Sequence, residues 1–174
     1  MDRCHVLEIG SGTGQHAVFF AAELPDLVWH SSDRAMNLAG IRDWLREAGL
    51  KNTPAPIELD VNHPWPHRRF DAIFTANTLH IMSWPEVERL FHSLPTVMED
   101  RAKLIIYGPF NYEGAYTSQS NAQFDQALRA QSPTQGIRDF EDIIELARNI
   151  NLVIVEDRPM PANNRCLIFN FQRK

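Results

Sequence analysis

Three glycines at alternate positions follow a short apolar run near the beginning of the chain. Gly10, Gly12 and Gly14 come directly after residues 6–9, and the acid Glu8 precedes the first glycine by two positions. Glycine has no Cβ and tolerates positive φ, so the backbone of such a turn can approach a ligand closely. A helix that begins there also directs unpaired N–H groups towards an anionic or strongly polar group. The pattern predicts a nucleotide-type site formed by Glu8, Gly10, Ser11, Gly12, Gly14 and His16.

Two acids lie at comparable positions further along the chain. Asp33 follows a second apolar run, residues 27–30, and lies about twenty residues beyond the last glycine, the offset at which an acid binds ribose hydroxyls in nucleotide-binding folds. Asp60 and Val61 end a third apolar run, residues 56–61. Each acid also has a purely structural interpretation, because Asp33 can cap the next helix and Asp60 can be a turn acid that faces solvent.

Alternating strand and helix patterns place these residues in an α/β fold. Seven apolar runs are predicted strands, and helical periodicity follows the first, second, fourth and fifth of them. Two predicted helices cover residues 13–24 and 35–48, and two more begin at Ser83 and at Asp139. The link at residues 159–164 is too short for a crossover helix, so the last two strands should be antiparallel neighbours. The predicted strands are residues 6–9, 27–30, 56–61, 70–75, 102–107, 152–155 and 167–171.

The composition is that of one globular domain spanning residues 1–174. The net charge is −5, and no internal repeat or change of composition divides the chain. An acidic chain is a poor general ligand for the nucleic-acid backbone, so a small-molecule partner is expected and nucleic acid is not.

Membrane and metal binding are not expected. No apolar run approaches the roughly 18 residues that span a bilayer, and the first five residues contain no signal peptide, so a cytoplasmic protein with no membrane association is predicted. Cys4 and Cys166 form no Cys-x-x-Cys motif and are expected to be reduced thiols. Prolines separate His63 from His67 and deny them a shared helical face, so no metal site is predicted.

The strand, the acid and the Gly-x-Gly-x-Gly spacing resemble the first motif of the class I S-adenosylmethionine (SAM) dependent methyltransferases. The dinucleotide fingerprint is Gly-x-Gly-x-x-Gly, so the third glycine comes one residue early for NAD. The resemblance covers nearly the whole chain and implies a Rossmann-like three-layer sandwich with a seven-stranded, mostly parallel sheet whose last strand is antiparallel. It also implies SAM as the cofactor, with Asp33 on the ribose, Asp60 on the adenine amino group and Val61 packed on the adenine ring.

Three more particular stretches, residues 76–81, 107–111 and 136–140, look like a functionally uncharacterised methyltransferase-like family of bacteria and animals, classified as a domain of unknown function. Membership implies the fold and the cofactor and leaves the acceptor open. Methyltransferases of this type carry a helical segment before the first strand that helps to cover the cofactor. Only five residues precede the first apolar run here, so a less enclosed cofactor is expected.

Acceptor chemistry is expected in the loops that follow the fourth and fifth strands. Methyl transfer requires alignment above all, and a base only where the acceptor must lose a proton. His80 has the ordinary pKa that suits a base near neutrality, although a loop histidine commonly hydrogen-bonds a carbonyl instead. The candidates are Asn77, His80, Tyr107, Asn111 and Tyr112, of which Asn77, His80 and Tyr107 are predicted to act on the substrate side and Asn77 also to contact the cofactor.

A polar and aromatic segment at residues 110–135, with a short helix predicted at residues 121–129, is interpreted as a substrate lid. The sequence therefore predicts a SAM-dependent methyltransferase with a small-molecule acceptor. Two alternatives stay open: a non-catalytic SAM-binding module that acts through protein partners, and an NAD-linked oxidoreductase.

Overall fold

The computed structural model describes residues 4–173. Strands and helices alternate through the first half of this range, as the apolar runs predict. The strands are β1 Cys4–Ile9, β2 Leu27–Asp33, β3 Ile57–Glu58, β4 Phe70–Ala76, β5 Met98–Gly108, β6 Phe110–Asn111, β7 Arg138–Asp139, β8 Leu152–Met160 and β9 Asn164–Phe171. The helices are α1 Gln15–Glu23, α2 Leu38–Ala48, α3 Trp84–Val97, α4 Gln119–Gln131 and α5 Phe140–Asn149.

Seven of these strands form one sheet in the order β3-β2-β1-β4-β5-β9-β8. All neighbours pair in parallel except β9, which runs antiparallel to both β5 and β8. The predicted α/β class, the seven-stranded sheet and the antiparallel last strand are thereby confirmed. The strand order reverses between β1 and β4, and in open parallel sheets the crevice beyond that point is where ligands bind.

Two apolar cores on opposite faces of the sheet make the fold a three-layer sandwich. Neighbouring residues of a strand point to opposite faces, and accordingly Leu7 packs in one core while Val6 packs in the other. The Leu7 core includes Phe91 of α3 and buried residues of α5. The Val6 core includes Ala17 of α1 and Ile41 of α2.

The third strand is much shorter than predicted. Only Ile57 and Glu58 pair with β2, and they pair with its last two residues, Ser32 and Asp33. Pro56 has no N–H to donate to a ladder, and β3 is the edge of the sheet, where pairing is available on one side alone. Asp60 and Val61 therefore follow the strand instead of ending it.

Two helix predictions also need correction. α4 spans Gln119–Gln131 and is longer at both ends than the predicted residues 121–129. Its N-cap Ser118 accepts a hydrogen bond from the Asn121 N–H at 3.1 Å, which explains the earlier start. Asp139 is the N-cap residue of α5, as predicted, but its side chain makes no capping hydrogen bond.

Candidate functional site

A cavity of about 380 Å³, here called the first cavity, opens at the carboxyl ends of β1, β2 and β4. This is the point where the strand order reverses, and the volume lies within the range of small-molecule sites. Most of the predicted cofactor residues meet there. Those that line it are Gly10, Ser11, Gly12, His16, Asp33, Asp60, Val61 and Asn77.

The three glycines all have positive φ, but they do different things. A Cβ on Gly10 would lie 2.8 Å from the Thr78 Oγ1, so glycine is required there because the Thr78 side chain packs directly against the backbone of the turn. Gly12 has open space where a Cβ would be. Gly14 is outside the lining of the cavity: a Cβ there would lie 3.3 Å from the Ile41 Cγ2, so this glycine allows α1 to pack against α2.

The N–H groups of these glycines donate hydrogen bonds within the protein. Gly10 donates to the Ser32 carbonyl at 3.0 Å and Gly14 to the Ser11 carbonyl at 2.9 Å. The glycine turn therefore shapes the cavity, and the donors that remain for a ligand belong to the start of α1. Backbone N–H groups in the first turn of a helix have no partner within the helix, and the residues of this region that line the cavity are Thr13, Gln15 and His16.

Glu8 lies beneath the glycine turn and does not line the first cavity. Its side chain is fully buried and accepts hydrogen bonds from the Ser11 hydroxyl at 2.9 Å, the Trp29 Nε1–H at 3.0 Å and the His16 Nδ1 at 3.1 Å. Ser11 in turn accepts from the Ser32 N–H at 3.0 Å. Direct ligand contact was the prediction for Glu8; the structure places it instead as the anchor that holds the turn.

His16 forms part of the cavity wall and is held by the same acid. The hydrogen bond to Glu8 raises the pKa of His16. Its ring also stacks on Phe20 with 6.2 Å between the ring centroids, so the side chain is fixed on two sides.

Asp33 faces the first cavity and supports its two walls. One carboxylate oxygen accepts from the Gly12 N–H at 2.8 Å; the other accepts from the Arg34 N–H and the Asn37 amide, each at 2.8 Å. A carboxylate has about four acceptor positions. Three are filled here, which leaves capacity for a ligand hydroxyl at a residue that is nine-tenths buried.

Asp60 is a turn acid that also lines the first cavity. It accepts hydrogen bonds from the Asn62 N–H at 2.8 Å and from the Asn62 amide at 3.0 Å, as a turn acid does. The backbone hydrogen bond from Asn62 lowers the pKa of Asp60, so the group is anionic where it lines the first cavity. Val61, which follows it, is buried against the same cavity.

Several lining residues were not predicted. Apolar residues from two segments line the first cavity together with Asp60 and Val61, two polar residues come one and four positions after Asp33, and one acid comes from the first turn of α3. The polar pair could have been found from its proximity to Asp33 in the sequence. The apolar residues could have been found because they follow His80 or precede Asp60. The residues are Arg34, Asn37, Leu59, Ile81, Met82 and Glu86.

A second cavity, of about 450 Å³, adjoins the first, and Asn77 lines both. Asn77 has a φ of +55° and donates its N–H to the Tyr107 carbonyl at 2.8 Å, so its backbone is held where β4 ends. α4 supplies one wall of this cavity. The lining residues are Asn77, His80, Pro109, Ser120, Asn121, Phe124, Ala162 and Asn164.

His80 lines the second cavity and is outside the lining of the first. Its side chain is buried, with 7% exposed, and its ring meets the edge of Phe124 with 5.1 Å between centroids. Burial, with a smaller contribution from the nearby Arg138 guanidinium, lowers the pKa of His80 to about 4. The near-neutral pKa considered from the sequence is therefore wrong, and the imidazole is neutral at physiological pH.

Two tyrosine candidates lie outside both cavities. Tyr107 lines a separate apolar groove beside Trp29 and Phe74, and its hydroxyl accepts from the Asn164 amide at 3.2 Å. Tyr112 donates its hydroxyl to Asp157 at 2.8 Å. Both side chains thus have structural partners, and Asn77 and His80 are the candidates that face the second cavity.

Comparison with protein families matches residues 1–171 to a family described as a protein of unknown function (DUF938). The chain belongs to this family. The match extends over almost the whole sequence and agrees with the resemblance of residues 76–81, 107–111 and 136–140 to an uncharacterised methyltransferase-like family.

Solved structures similar to this DUF938 chain are methyltransferases. The mitomycin 7-O-methyltransferase MmcR superposes with a TM-score of 0.86 at 18% identity, over 97% of this chain and 49% of that one. The SAM-dependent methyltransferase SibL gives 0.83 at 20% identity, over 98% and 51%. An O-methyltransferase family protein from Burkholderia thailandensis gives 0.86 at 14%, over 97% and 51%. The DUF938 fold is thus that of the class I methyltransferases, and the chain spans about half the length of these proteins.

Two kinds of feature are missing from residues 4–173. No helix there combines the length and apolar character required to span a membrane. No group of three or more histidine, cysteine, aspartate or glutamate side chains in that range is arranged to hold a metal ion, and this includes His63 and His67.

Acidification is expected to destabilise the protein through two buried histidines. Burial, followed by neighbouring cations, lowers the pKa of both His80 and His30 to about 4, whereas the unfolded chain keeps the ordinary value near 6.5. Between these values the unfolded chain binds protons that the folded chain does not, so stability falls as the pH drops from about 6.5 towards 4. We expect urea unfolding at pH 5 to show a loss of roughly 1–2 kcal/mol per histidine relative to pH 7.5.

The contribution of His80 can be isolated by His80→Gln, whose side chain does not titrate. This variant should lose about half of the stability difference between pH 7.5 and pH 5 that the two histidines produce. An unchanged difference would contradict the low pKa of His80.

Proposed function

We propose that the DUF938 chain is a SAM-dependent methyltransferase that acts on a small-molecule acceptor. The observation that carries the proposal is the convergence on one cavity of the glycine turn, the start of α1, Asp33 and Asp60. These groups come from the ends of three neighbouring strands, where the strand order reverses.

The residues of the first cavity fit SAM. Gly12 leaves open space, Asp33 has acceptor capacity for ribose hydroxyls, and the start of α1 offers N–H groups to a carboxylate. Asp60 provides an acceptor for an amino group, and the apolar residues beside it suit a flat base: Leu59, Val61, Ile81 and Met82. NAD would need a place for a pyrophosphate, and the glycine spacing is one residue short of that fingerprint.

When bound, SAM would supply a methyl carbon and its own leaving group, so that an acceptor lone pair could form a bond to that carbon as the carbon–sulfur electrons return to sulfur and the acceptor proton departs. The chain must then bind both reactants in line and exclude water between them. Orientation of this kind can supply most of the rate enhancement. Asn77 lies where the two reactants would meet, because it lines both cavities.

Thermal unfolding in the presence of SAM, S-adenosylhomocysteine or NAD tests the cofactor assignment. A ligand that binds only the folded state raises the midpoint, so SAM and S-adenosylhomocysteine should raise it and NAD should not. A rise with NAD alone would favour the oxidoreductase alternative.

Turnover tests the activity itself. Incubation with SAM and a panel of small metabolites should release S-adenosylhomocysteine, and a parallel incubation with pooled RNA should not. Product from RNA alone would reject the small-molecule acceptor. Tight SAM binding without product from any acceptor would favour the non-catalytic binding module.

A further inference from the structure

The second cavity has walls that are fixed by hydrogen bonds. Asn121, which is 5% exposed, donates its amide to the Asn163 carbonyl at 3.2 Å, and Asn163 donates its own amide to the Ser120 hydroxyl at 3.1 Å. These bonds join α4 to the turn between β8 and β9. A pocket with such walls exists before a ligand arrives, which lowers the entropic cost of binding.

The opposite wall is the loop that carries His80, and it is held from outside the cavity. The Gly136 N–H donates to the His80 carbonyl at 2.9 Å. The Arg138 guanidinium donates to the Leu79 carbonyl at 3.1 Å and also to the Met82 carbonyl. The backbone is thus satisfied by other segments, and the His80 ring is left to face the cavity.

Three of the six non-glycine residues with positive φ within residues 4–173 lie around the same cavity. Asn77 and Ala162, which line it, and Asn163, which adjoins it, have φ values of +55°, +57° and +57°. A left-handed conformation is unusual for alanine in particular and costs on the order of 1–3 kcal/mol. Strained residues of this kind cluster at binding and active sites.

The lining of the second cavity carries no charge among the described residues. Four side chains there are hydroxyl or amide groups, one is the aromatic ring of Phe124, and His80 is neutral because burial lowers its pKa to about 4. An ionic ligand would lose its hydration without gaining a counter-charge, which is costly. The uncharged polar residues are Asn77, Ser120, Asn121 and Asn164.

His80 itself lacks a polar partner. Its ring contacts the edge of Phe124, and the charge of Arg138 acts on it from a distance. Within residues 4–173, no hydrogen bond reaches either ring nitrogen. A neutral imidazole has one donor and one acceptor nitrogen. The His80 imidazole is 93% buried and lies in the wall of the cavity, so its ring nitrogens are free to hydrogen-bond a ligand there.

We propose that the second cavity is the acceptor site, and that it takes an uncharged planar molecule whose hydroxyl group hydrogen-bonds to His80 and whose ring packs on Phe124. This inference rests on the proposed function. With SAM and an acceptor bound, the acceptor oxygen would form its bond to the methyl carbon, the carbon–sulfur bond would break with its electrons on sulfur, and the hydroxyl proton would be released to solvent. The neutral His80 ring would orient the oxygen by accepting the hydrogen bond from the hydroxyl group.

Three probes of one shape and different charge test the ligand class at pH 7: 2-naphthol, 2-naphthoate and 2-naphthylmethylammonium. Their affinities for the purified chain can be measured by calorimetry, with and without SAM. We expect 2-naphthol to bind at least about tenfold more tightly than either ion. Equal or tighter binding of an ion would overturn the proposal.

Variants tie the probe to this cavity. Phe124→Ala, at a side chain that is 40% exposed, should weaken 2-naphthol about fivefold to tenfold, and His80→Phe about fivefold. Phe19→Ala is the matched control, because Phe19 is 61% exposed on α1 and lines none of the cavities described above. Unchanged affinity in Phe124→Ala, or an equal loss in Phe19→Ala, would place the probe elsewhere and reject the site.

The same measurements separate this inference from the proposed function. If SAM binds and 2-naphthol does not, the acceptor class is wrong and the cofactor assignment stands. If 2-naphthol binds with the expected dependence on Phe124 and SAM does not bind, methyl transfer fails as the function and the ligand class of the cavity stands.

Discussion

Glu8→Ala is expected to lower the free energy of unfolding by about 2–4 kcal/mol and to abolish measurable SAM binding. The substitution leaves the Trp29 Nε1–H and the Ser11 hydroxyl without their acceptor in a fully buried place, and it empties the space of the side chain. An unsatisfied buried donor costs about 1–3 kcal/mol, and the cavity adds to that. Because Ser11 also receives the Ser32 N–H, the glycine turn loses its anchor along with the stability.

Urea unfolding and SAM calorimetry check this result. Glu8→Gln keeps the volume and one acceptor oxygen, so it should lose less stability than Glu8→Ala. Glu23→Ala, at an exposed acid of α1, is the matched control and should change the free energy of unfolding by less than about 0.5 kcal/mol. A Glu8→Ala protein as stable as the control would contradict the anchoring role.

The glycine turn could be predicted from the sequence because its requirement is local. Positive φ and the close packing of the Thr78 side chain restrict Gly10 to glycine, and the three alternate glycines are visible in the sequence itself. The role of Glu8 was not visible in the same way. Its donor Trp29 lies 21 residues away on β2, and only the parallel pairing of β1 with β2 brings the indole to the carboxylate.

Two other features depended on the assembled sheet. The apolar run at residues 56–61 has strand composition, yet its pairing ends after two residues because β3 meets only the end of β2. The second cavity is formed by the loop after β4, the end of β5, α4 and the β8–β9 turn. No local pattern joins four such distant segments, whereas the seven strands follow from the apolar runs and the antiparallel last pair from the short link at residues 159–164.

The pKa of His80 also depends on the assembled fold. A histidine in the loop after β4 suggested a base. Its pKa is set by burial against α4 and by Arg138, which lies 58 positions further along the chain. Neutrality at physiological pH was therefore a property of the fold.

Asp33→Ala should weaken SAM binding by about 1.5–3 kcal/mol if the carboxylate binds the ribose hydroxyls, since it removes a charged acceptor from two donors. The substitution also removes a structural role, because Asp33 accepts hydrogen bonds from the Gly12 N–H and the Arg34 N–H. Loss of these bonds alone should appear as a loss of stability of about 0.5–2 kcal/mol, typical of a cap. Calorimetry with SAM on the folded variant separates the two effects.

Asp33→Asn sharpens the distinction. It keeps one of the two acceptor oxygens and removes the charge, so stability should return in part while SAM affinity stays low. Asp43→Ala, at an exposed acid of α2, controls for the change in net charge and should bind SAM like the unmodified chain. SAM affinity that follows stability across these variants would make Asp33 a support for the turn. Affinity that follows the charge would place it on the ribose, and the first cavity would then hold its ligand through an acid that also shapes the wall.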